Sequence, residues 1–132
     1  MLYCGISIYP VIAGVVIYMA LGMLWYSPLM FVSIWAKLAG HTEKHMPITL
    51  AGTALVGAMM AYGLLHAFRA AAAVTMVDAI VTSLVIWAIF IVPSHFYGVL
   101  WHKRHLTVFA IDVGYHLVYF ILFSAMWAKF FA

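Results

Sequence analysis

The stretch that decides the fold is residues 106–127, LTVFAIDVGYHLVYFILFSAMW. A helix rises about 1.5 Å per residue, so some 20 apolar residues cross a hydrocarbon core of about 30 Å. Asp112 is the only formally charged residue within this stretch, and His116 follows it one helical turn later. The stretch therefore predicts a membrane-spanning helix that carries an acid inside an apolar run.

The composition of the whole chain extends this interpretation. Of the 132 residues, 69% are hydrophobic and 7% are charged, and the mean hydropathy is +1.16, whereas about a quarter of the residues in soluble domains are charged. The length leaves room for about four spans and no separate soluble domain. The net charge of +3 comes from scattered basic residues that form no patch, which argues against a nucleic-acid partner. We expect one transmembrane domain over residues 1–132.

Apolar segments divide the chain into four predicted spans, at about residues 6–26, 48–68, 77–99 and 106–127. Between the first two spans, residues 29–39 place Phe31, Ile34, Trp35 and Leu38 at helical spacing. This segment is too short to cross a bilayer, but it suits a helix that lies in the membrane interface. The predicted fold is an all-α integral membrane protein, a four-transmembrane-helix bundle with a short interfacial helix between spans one and two.

The distribution of basic residues predicts the orientation. With four spans, both termini share one side, and the two loops on the other side hold more of the lysines and arginines. Those loops contain Lys37, Lys44, Lys103 and Arg104, against Arg69 and Lys129 on the side of the termini. Because cytoplasmic loops carry an excess of positive charge, we expect a multi-pass protein of the cell inner (plasma) membrane with non-cytoplasmic termini.

Small residues mark the predicted surfaces of helix packing. They lie four residues apart in span two, a pattern that lets helix backbones approach closely in lipid. The set comprises Gly14 and Gly22 in span one, and Ala54, Gly57, Ala58 and Ala61 in span two. Span two is therefore expected to be central or to mediate oligomer formation.

Polar residues in spans three and four predict a buried cluster. The hairpin turn lies between these spans, so His95 and Asp112 are equally far from its centre. They should lie at the same depth, about 10 Å below the turn, and approach each other. Tyr115 and His116 continue the same helix face as Asp112. A lone charge within a bilayer costs on the order of 3 kcal/mol, so we expect Asp112 to be protonated or paired with a histidine.

Several roles for this cluster remain open at the level of sequence. The side chains of His95, Asp112 and His116 could simply bond helices together, or they could form a proton relay or ion path. Ligation of a metal or tetrapyrrole by His95 and His116 is a third role, with Asp112 as a possible oxygen ligand, although no metal-binding spacing is present and the cofactor stays unknown. Trp25 and Tyr26 are either anchors in the membrane interface or the mouth of a path.

Two motifs carry a resemblance to a known family. The segment Leu24-Trp25-Tyr26-Ser27-Pro28, followed by Phe31 and Trp35, occurs together with Gly114-Tyr115-His116-Leu117. In these motifs, and over nearly its whole length, the chain resembles a bacterial family known as "domain of unknown function 1761".

The resemblance implies a small four-span protein of a bacterial inner membrane and supplies no activity. The chain departs from the family's pattern at Val32, where glycine is usual, and at Asp112, where asparagine is usual. The second departure implies that a charge is not essential at this position, which favours a hydrogen-bonding role.

We expect a non-enzymatic protein that works by helix packing, as a homo-oligomer or as an accessory subunit of a larger membrane complex. The sequence offers no recognisable nucleophile or metal motif, and the single cysteine, Cys4, excludes a cysteine-pair redox enzyme. The alternative is a proton-coupled transporter or channel for a small solute that uses the histidine and aspartate cluster. A pigment- or haem-binding subunit is a third hypothesis.

Overall fold

A computed structural model of the chain describes residues 2–3, 6–27, 29–39 and 46–132. Cys4, Pro28 and the predicted polar loop with Lys44 lie outside these described residues. Two short strands, β1 (Leu2–Tyr3) and β2 (Ile6–Ser7), pair antiparallel ahead of the first helix. The helices are α1 (Ile8–Trp25), α2 (Val32–Ala39), α3 (Met46–Ala70), α4 (Met76–Ile86), α5 (Val92–Trp101) and α6 (Leu106–Phe130), with a π-helical segment (Trp87–Ile91) joining α4 to α5.

Four helical stretches within the described residues are long and apolar enough to cross a membrane. They are Ile8–Trp25, Pro47–Ala70, Met76–Trp101 and Leu106–Phe130, and the third comprises α4, the π-helical segment and α5. The prediction of an all-α, four-span membrane protein is confirmed, and α2 is the short helix between spans one and two. The first span begins two residues later than predicted, because Ile6 and Ser7 pair with β1 and Ser7 caps the helix.

Local side-chain contacts define the ends of the third and fourth spans. The Thr75 hydroxyl accepts from the Asp78 N–H at 3.1 Å, while the Asp78 carboxylate accepts from the Thr75 N–H at 3.0 Å. This reciprocal pair satisfies N–H groups that a helix start leaves free. At the start of α6, Nδ1 of His105 accepts from the Thr107 N–H at 3.1 Å. Asp78 and His105 thus have local roles in helix capping.

Helix α6 forms the centre of the bundle. It is the most buried of the four spans and packs against α1, α2, α4 and α5. Its fully buried Tyr119 and Phe123 lie in one core cluster with Phe68 of α3. Span two, which small residues had marked as a candidate for the central helix, instead packs against α1 and α4.

The small residues of α3 are used within the chain. A Cβ added to Gly14 of α1 would come within 2.6 Å of the Ala61 side chain, and one added to Gly57 would come within 3.1 Å of Tyr18. Close approach of this kind needs residues without bulk. Gly57 and Ala61 therefore close the contact between α1 and α3, Ala54 and Ala58 are half-buried beside them, and Gly22 faces the hydroxyl of Tyr115.

The third span changes its helical geometry near its middle. The Val92 N–H bonds to the carbonyl of Trp87, five residues back, and Pro93 next to it has no N–H to donate. Within the following turn, the Ser94 hydroxyl donates to the Phe90 carbonyl and His95 Nδ1 lies 3.0 Å from the Ile91 carbonyl. These side chains supply partners for carbonyl groups in a region where unpaired backbone groups are costly.

The π-helical segment separates two differently packed halves of the bundle. Before it, α4 packs against α3, whereas α5 after it makes no comparable contact with α3 among the described residues. The end of the bundle that holds α5 is therefore less tightly filled. This is where the polar side chains of α6 lie.

Candidate functional site

A partly open cleft of about 430 Å³ lies between α1, α2, α3, α5 and α6. Its lining combines titratable, hydroxyl and aromatic side chains. The lining residues are Tyr18, Met19, Gly22, Met23, Tyr26, Val32, Trp35, Thr49, Leu50, Thr53, His95, Asp112, Tyr115 and His116. The cleft thus brings together the four residues that the sequence analysis placed in one polar cluster, namely His95, Asp112, Tyr115 and His116.

Asp112 is 7% exposed and connects three separate elements. Its Oδ1 accepts a hydrogen bond from the Tyr26 hydroxyl at 2.5 Å and another from the Trp35 indole N–H at 3.0 Å. Its Oδ2 lies 3.8 Å from Nη2 of Arg104, whose side chain is 42% exposed. The predicted pairing of the Asp112 carboxylate with a histidine side chain is not among its described contacts. The carboxylate instead contacts the end of α1, helix α2 and the loop before α6.

Backbone carbonyls set the tautomers of the two histidines. Nδ1 of His116 lies 2.9 Å from the Asp112 carbonyl, and Nδ1 of His95 lies 3.0 Å from the Ile91 carbonyl. A carbonyl oxygen can only accept, so both Nδ1 atoms carry the proton and both Nε2 atoms carry a lone pair in the neutral rings. Nε2 of His116 accepts from the Tyr18 hydroxyl at 3.2 Å. The two imidazole rings are neighbours, with centroids 5.3 Å apart.

Aromatic donors connect α1 to α6 around the cleft. The Tyr115 hydroxyl donates to the Tyr18 carbonyl at 2.5 Å, and the Tyr119 hydroxyl donates to the Gly14 carbonyl at 3.1 Å. The indole N–H of Trp25 donates to the Ile111 carbonyl at 2.9 Å. Interhelical hydrogen bonds of this kind fix which helix faces meet in lipid.

The two residues predicted at the mouth of a path have different positions. The Trp25 ring packs over Gly114, where an added Cβ would lie 3.3 Å from it, and it is not among the residues that line the cleft. Tyr26 does line the cleft. Burial, followed by its hydrogen bond to the Asp112 carboxylate, raises the pKa of the Tyr26 hydroxyl well above its usual range. The hydroxyl therefore remains a donor at physiological pH.

Sequence reasoning missed Arg104, Tyr18 and Trp35 as members of the site. Tyr18 lies one turn before Gly22 and two turns before Trp25 and Tyr26, so helical spacing could have placed it on their face. Trp35 belongs to the apolar stripe of the interfacial helix, which indicated burial but gave no partner. The residues of α3 that line the cleft carried no signal in an alanine- and glycine-rich span.

The structure also bears on ligation by the histidines. Within the described residues, no group of three or more histidine, cysteine, aspartate or glutamate side chains could hold a metal ion. The Nε2 lone pair of His116 already accepts the Tyr18 hydroxyl. Joint ligation by His95 and His116 would require this hydrogen bond to break.

A second cavity, of about 480 Å³, lies at the opposite end of the bundle. Its lining is mainly apolar and includes Phe68, Arg69, Trp127 and Phe131. None of the polar cluster residues reaches it. Of these two cavities, the cleft around Asp112 is therefore the one with the chemistry of a functional site.

Comparisons with known proteins identify a family and nothing narrower. Neither the comparison with curated proteins nor the comparison with solved structures gives a match. A family model matches residues 9–127, which include the Trp25-Tyr26 and Tyr115-His116 motifs and all the cleft residues named above. The chain belongs to the family described as protein of unknown function (DUF1761).

Proposed function

We propose that this membrane protein binds a small solute in the cleft and conducts or transports it in a proton-coupled manner. The observation that carries the proposal is the convergence of His95, Asp112 and His116 on a single cleft. A volume of about 430 Å³ lies in the range of small-ligand sites. Ionisable side chains within a membrane are costly and commonly mark substrate or proton paths.

The hydrogen bonds of the cluster support proton coupling. His95 presents an Nε2 lone pair, because its Nδ1 proton is directed at a backbone carbonyl. The neighbouring ring, that of His116, is hydrogen-bonded to the Tyr18 hydroxyl. Histidine changes charge within the physiological pH range. A proton taken up by His95 would place positive charge beside His116 and near Asp112, and so change the field inside the cleft. Loading of the cleft and protonation of His95 would then be linked.

The position of the cleft supports a direction of access. It lies in the half of the bundle near the loop between α5 and α6, which contains Lys103 and Arg104. Basic loops remain in the cytoplasm, so we propose that the spans cross a bacterial inner membrane with the cleft nearer the cytoplasmic side. The termini then lie on the outer side.

Water access to the cleft tests the proposal directly. In a background in which Cys4 is replaced by alanine, Thr53→Cys places a thiol in the cleft, and Leu55→Cys places one on the exposed face of α3 about 3 Å away along the helix axis. N-ethylmaleimide reacts with the thiolate, which forms only where water reaches. We expect rapid labelling at position 53 and slow labelling at 55 in liposomes. Equally slow labelling at both positions would refute a water-filled cleft.

Proton flux tests the function itself. Liposomes that contain the protein and an internal pH-sensitive dye are exposed to an acid step, with and without candidate solutes outside. We expect lower flux for His95→Ala and Asp112→Asn than for the wild type. His66→Ala is the matched control, because His66 packs against Tyr62 on α3 and does not line the cleft. Equal flux in all variants would rule out the relay.

Oligomer formation is a second candidate function, supported by the lipid-facing side of α3. Gly52 and Gly63 are exposed with nothing within 4 Å of an added Cβ, and Val56 and Met59 lie on the same exposed face. This face leaves room for another helix to approach. We expect native mass spectrometry from mild detergent to show a homo-oligomer or a complex with a partner subunit, and we expect Gly63→Leu to weaken this association. A monomer without any partner would contradict the packing hypothesis.

The third hypothesis, a bound pigment or haem, is tested by an absorption spectrum of the same sample.

A further inference from the structure

The hydrogen-bond donors around the cleft are mostly bonded to acceptors of the protein, whereas some of the acceptors have lone pairs left. Every donor with a described partner gives its hydrogen to an acceptor of the protein. The Tyr26 hydroxyl and the Trp35 indole donate to Asp112, the Tyr115 hydroxyl donates to a carbonyl, and the Tyr18 hydroxyl donates to His116. The Thr53 hydroxyl donates to the Thr49 carbonyl at 2.7 Å, and the Thr49 hydroxyl can both donate and accept. A ligand that needs several donors finds few here.

Besides hydroxyl oxygens, two strong acceptors that line the cleft, a carboxylate oxygen and an imidazole nitrogen, have capacity left for a ligand. The 3.8 Å separation between Oδ2 of Asp112 and Arg104 is an ion-pair distance that exceeds the range of a hydrogen bond. Nε2 of His95 has a lone pair, since Nδ1 holds the ring proton against the Ile91 carbonyl. Both residues line the same cleft. The cleft therefore accepts hydrogen bonds and has a single carboxylate.

The aromatic lining complements a positive charge. Tyr18, Tyr26, Trp35 and Tyr115 all contribute to the wall of the cleft. Aromatic ring faces attract cations, and the attraction is stronger when water is excluded. An anion would meet the carboxylate and the imidazole lone pair, and it would find the indole and phenol donors already bonded.

Arg104 supplies the positive charge that faces Oδ2 of Asp112. Its guanidinium balances the charge of Asp112 from the half-exposed loop before α6. Only the guanidinium of this pair is half-exposed, and its 3.8 Å distance to the buried carboxylate exceeds the range of a hydrogen bond, so another cation can replace the guanidinium at Oδ2. The exchange keeps Asp112 paired at every stage, which avoids leaving a bare charge inside the membrane.

On the basis of the proposed function, we propose that the solute is a small organic cation with a primary ammonium group. The ammonium donates to Oδ2 of Asp112 and Nε2 of His95 in place of Arg104, and the apolar part of the solute packs against the tyrosine and tryptophan rings. An ammonium group has three donors and no acceptor, which matches the unused groups of the cleft. A molecule with one ring and one ammonium fits within about 430 Å³.

Binding of three matched probes tests this assignment. Benzylammonium, neutral benzyl alcohol and anionic benzoate are titrated calorimetrically, at about pH 7, into the protein in discs of zwitterionic lipid. We expect benzylammonium to bind at least about tenfold more tightly than the other two, which corresponds to about 1.4 kcal/mol. Asp112→Asn should remove this preference while keeping the helical circular dichroism.

Two loop variants separate the local ion pair from general charge. Arg104→Gln removes the competing cation and should tighten benzylammonium binding several-fold. Lys103→Gln removes the same charge from the neighbouring residue, which has no described contact with Asp112, and should leave the affinity unchanged. An equal effect of both substitutions would show that only the overall charge matters, and the exchange would be refuted.

The outcomes for the cation and for the solute-binding function are distinguishable. No benzylammonium binding, or equal affinity for all three probes, overturns the cation assignment. The proposed function is then decided by labelling at Thr53→Cys, which involves no cation. A labelled cleft without a cation preference leaves solute binding standing, whereas an unlabelled cleft removes both.

Discussion

The two oxygens of Asp112 have separate roles, and this makes a sharp prediction about substitutions at this position. Both described hydrogen bonds, from Tyr26 and Trp35, end on Oδ1, while Oδ2 faces Arg104. An asparagine keeps an Oδ1 acceptor for both donors and loses only the ion pair. An alanine loses the acceptor and leaves two donors without this partner. Asp112→Asn should therefore be tolerated and Asp112→Ala should not.

The expected magnitudes follow from the contacts. Interhelical hydrogen bonds in membranes contribute about 0.6 kcal/mol on average and up to about 1.7 kcal/mol, and bonds to a charged acceptor lie in the upper part of such ranges. Two bonds to Oδ1 give a loss of roughly 2–3 kcal/mol for Asp112→Ala. A half-exposed ion pair at 3.8 Å contributes about 1 kcal/mol at most. We expect Asp112→Asn to lie within about 1 kcal/mol of the wild type.

Unfolding in mixed micelles measures these differences. Helical circular dichroism is followed while the fraction of a denaturing detergent increases, and the free energy of unfolding is compared between variants. Tyr26→Phe provides the double-mutant cycle. It should cost about 1 kcal/mol in the wild type and in Asp112→Asn, and almost nothing in Asp112→Ala. If asparagine destabilises as much as alanine, or if Tyr26→Phe costs the same in all three backgrounds, the assignment of roles to the two oxygens is wrong.

Three further predictions concern packing, alkaline stability and orientation. Gly57→Leu should destabilise the protein by about 1–3 kcal/mol because an added Cβ lies 3.1 Å from Tyr18, whereas Gly52→Leu, which meets open space within one chain, should be neutral or stabilising in monomeric protein; equal micelle unfolding of the two monomeric variants would contradict this. Because the pKa of Tyr26 is raised in the folded state, the associated stability is complete below about pH 10 and declines above it. Tyr26→Phe should make the alkaline loss of helical circular dichroism less steep, and an unchanged slope would disprove this linkage. A phosphatase reporter should be active at the carboxyl terminus and inactive when inserted beside Lys103, and the reverse pattern would invert the proposed topology.

The membrane spans could be predicted because hydrophobicity and length act locally. The third and fourth spans end at Trp101 and Phe130, a few residues beyond the predicted limits. A helix continues until capping groups or a breaker end it, and apolar composition alone does not show where this happens. The pairing of Ile6 and Ser7 with β1 likewise depends on residues outside the span.

Hairpin symmetry predicted that His95 and Asp112 share a depth and approach each other, but it did not predict the described partners of the carboxylate. His95, Asp112 and His116 do line one cleft, yet the carboxylate bonds to Tyr26 and Trp35. These donors are separated from Asp112 by 86 and 77 residues along the chain. Depth arguments apply within one hairpin, whereas the orientation of α1 and α2 around α6 depends on how all the helices pack.

The spacing of small residues showed a similar limit. A four-residue repeat predicts that another backbone comes close, but it does not distinguish a helix of the same chain from one of another chain. Here Gly57 and Ala61 meet α1, while Gly52 and Gly63 stay exposed. The difference arises from the direction in which each face of α3 points.

By itself, the sequence determined that the chain is a four-span membrane protein with an acid among histidines and tyrosines, because composition and periodicity constrain each span separately. Only the tertiary structure decided that α6 is central, that the π-helical segment precedes a cleft between α3 and α5, and that Asp112 joins three elements. In lipid, all the spans are similarly apolar, so hydrophobicity cannot select which faces meet. Close packing and hydrogen bonds between distant residues make that selection.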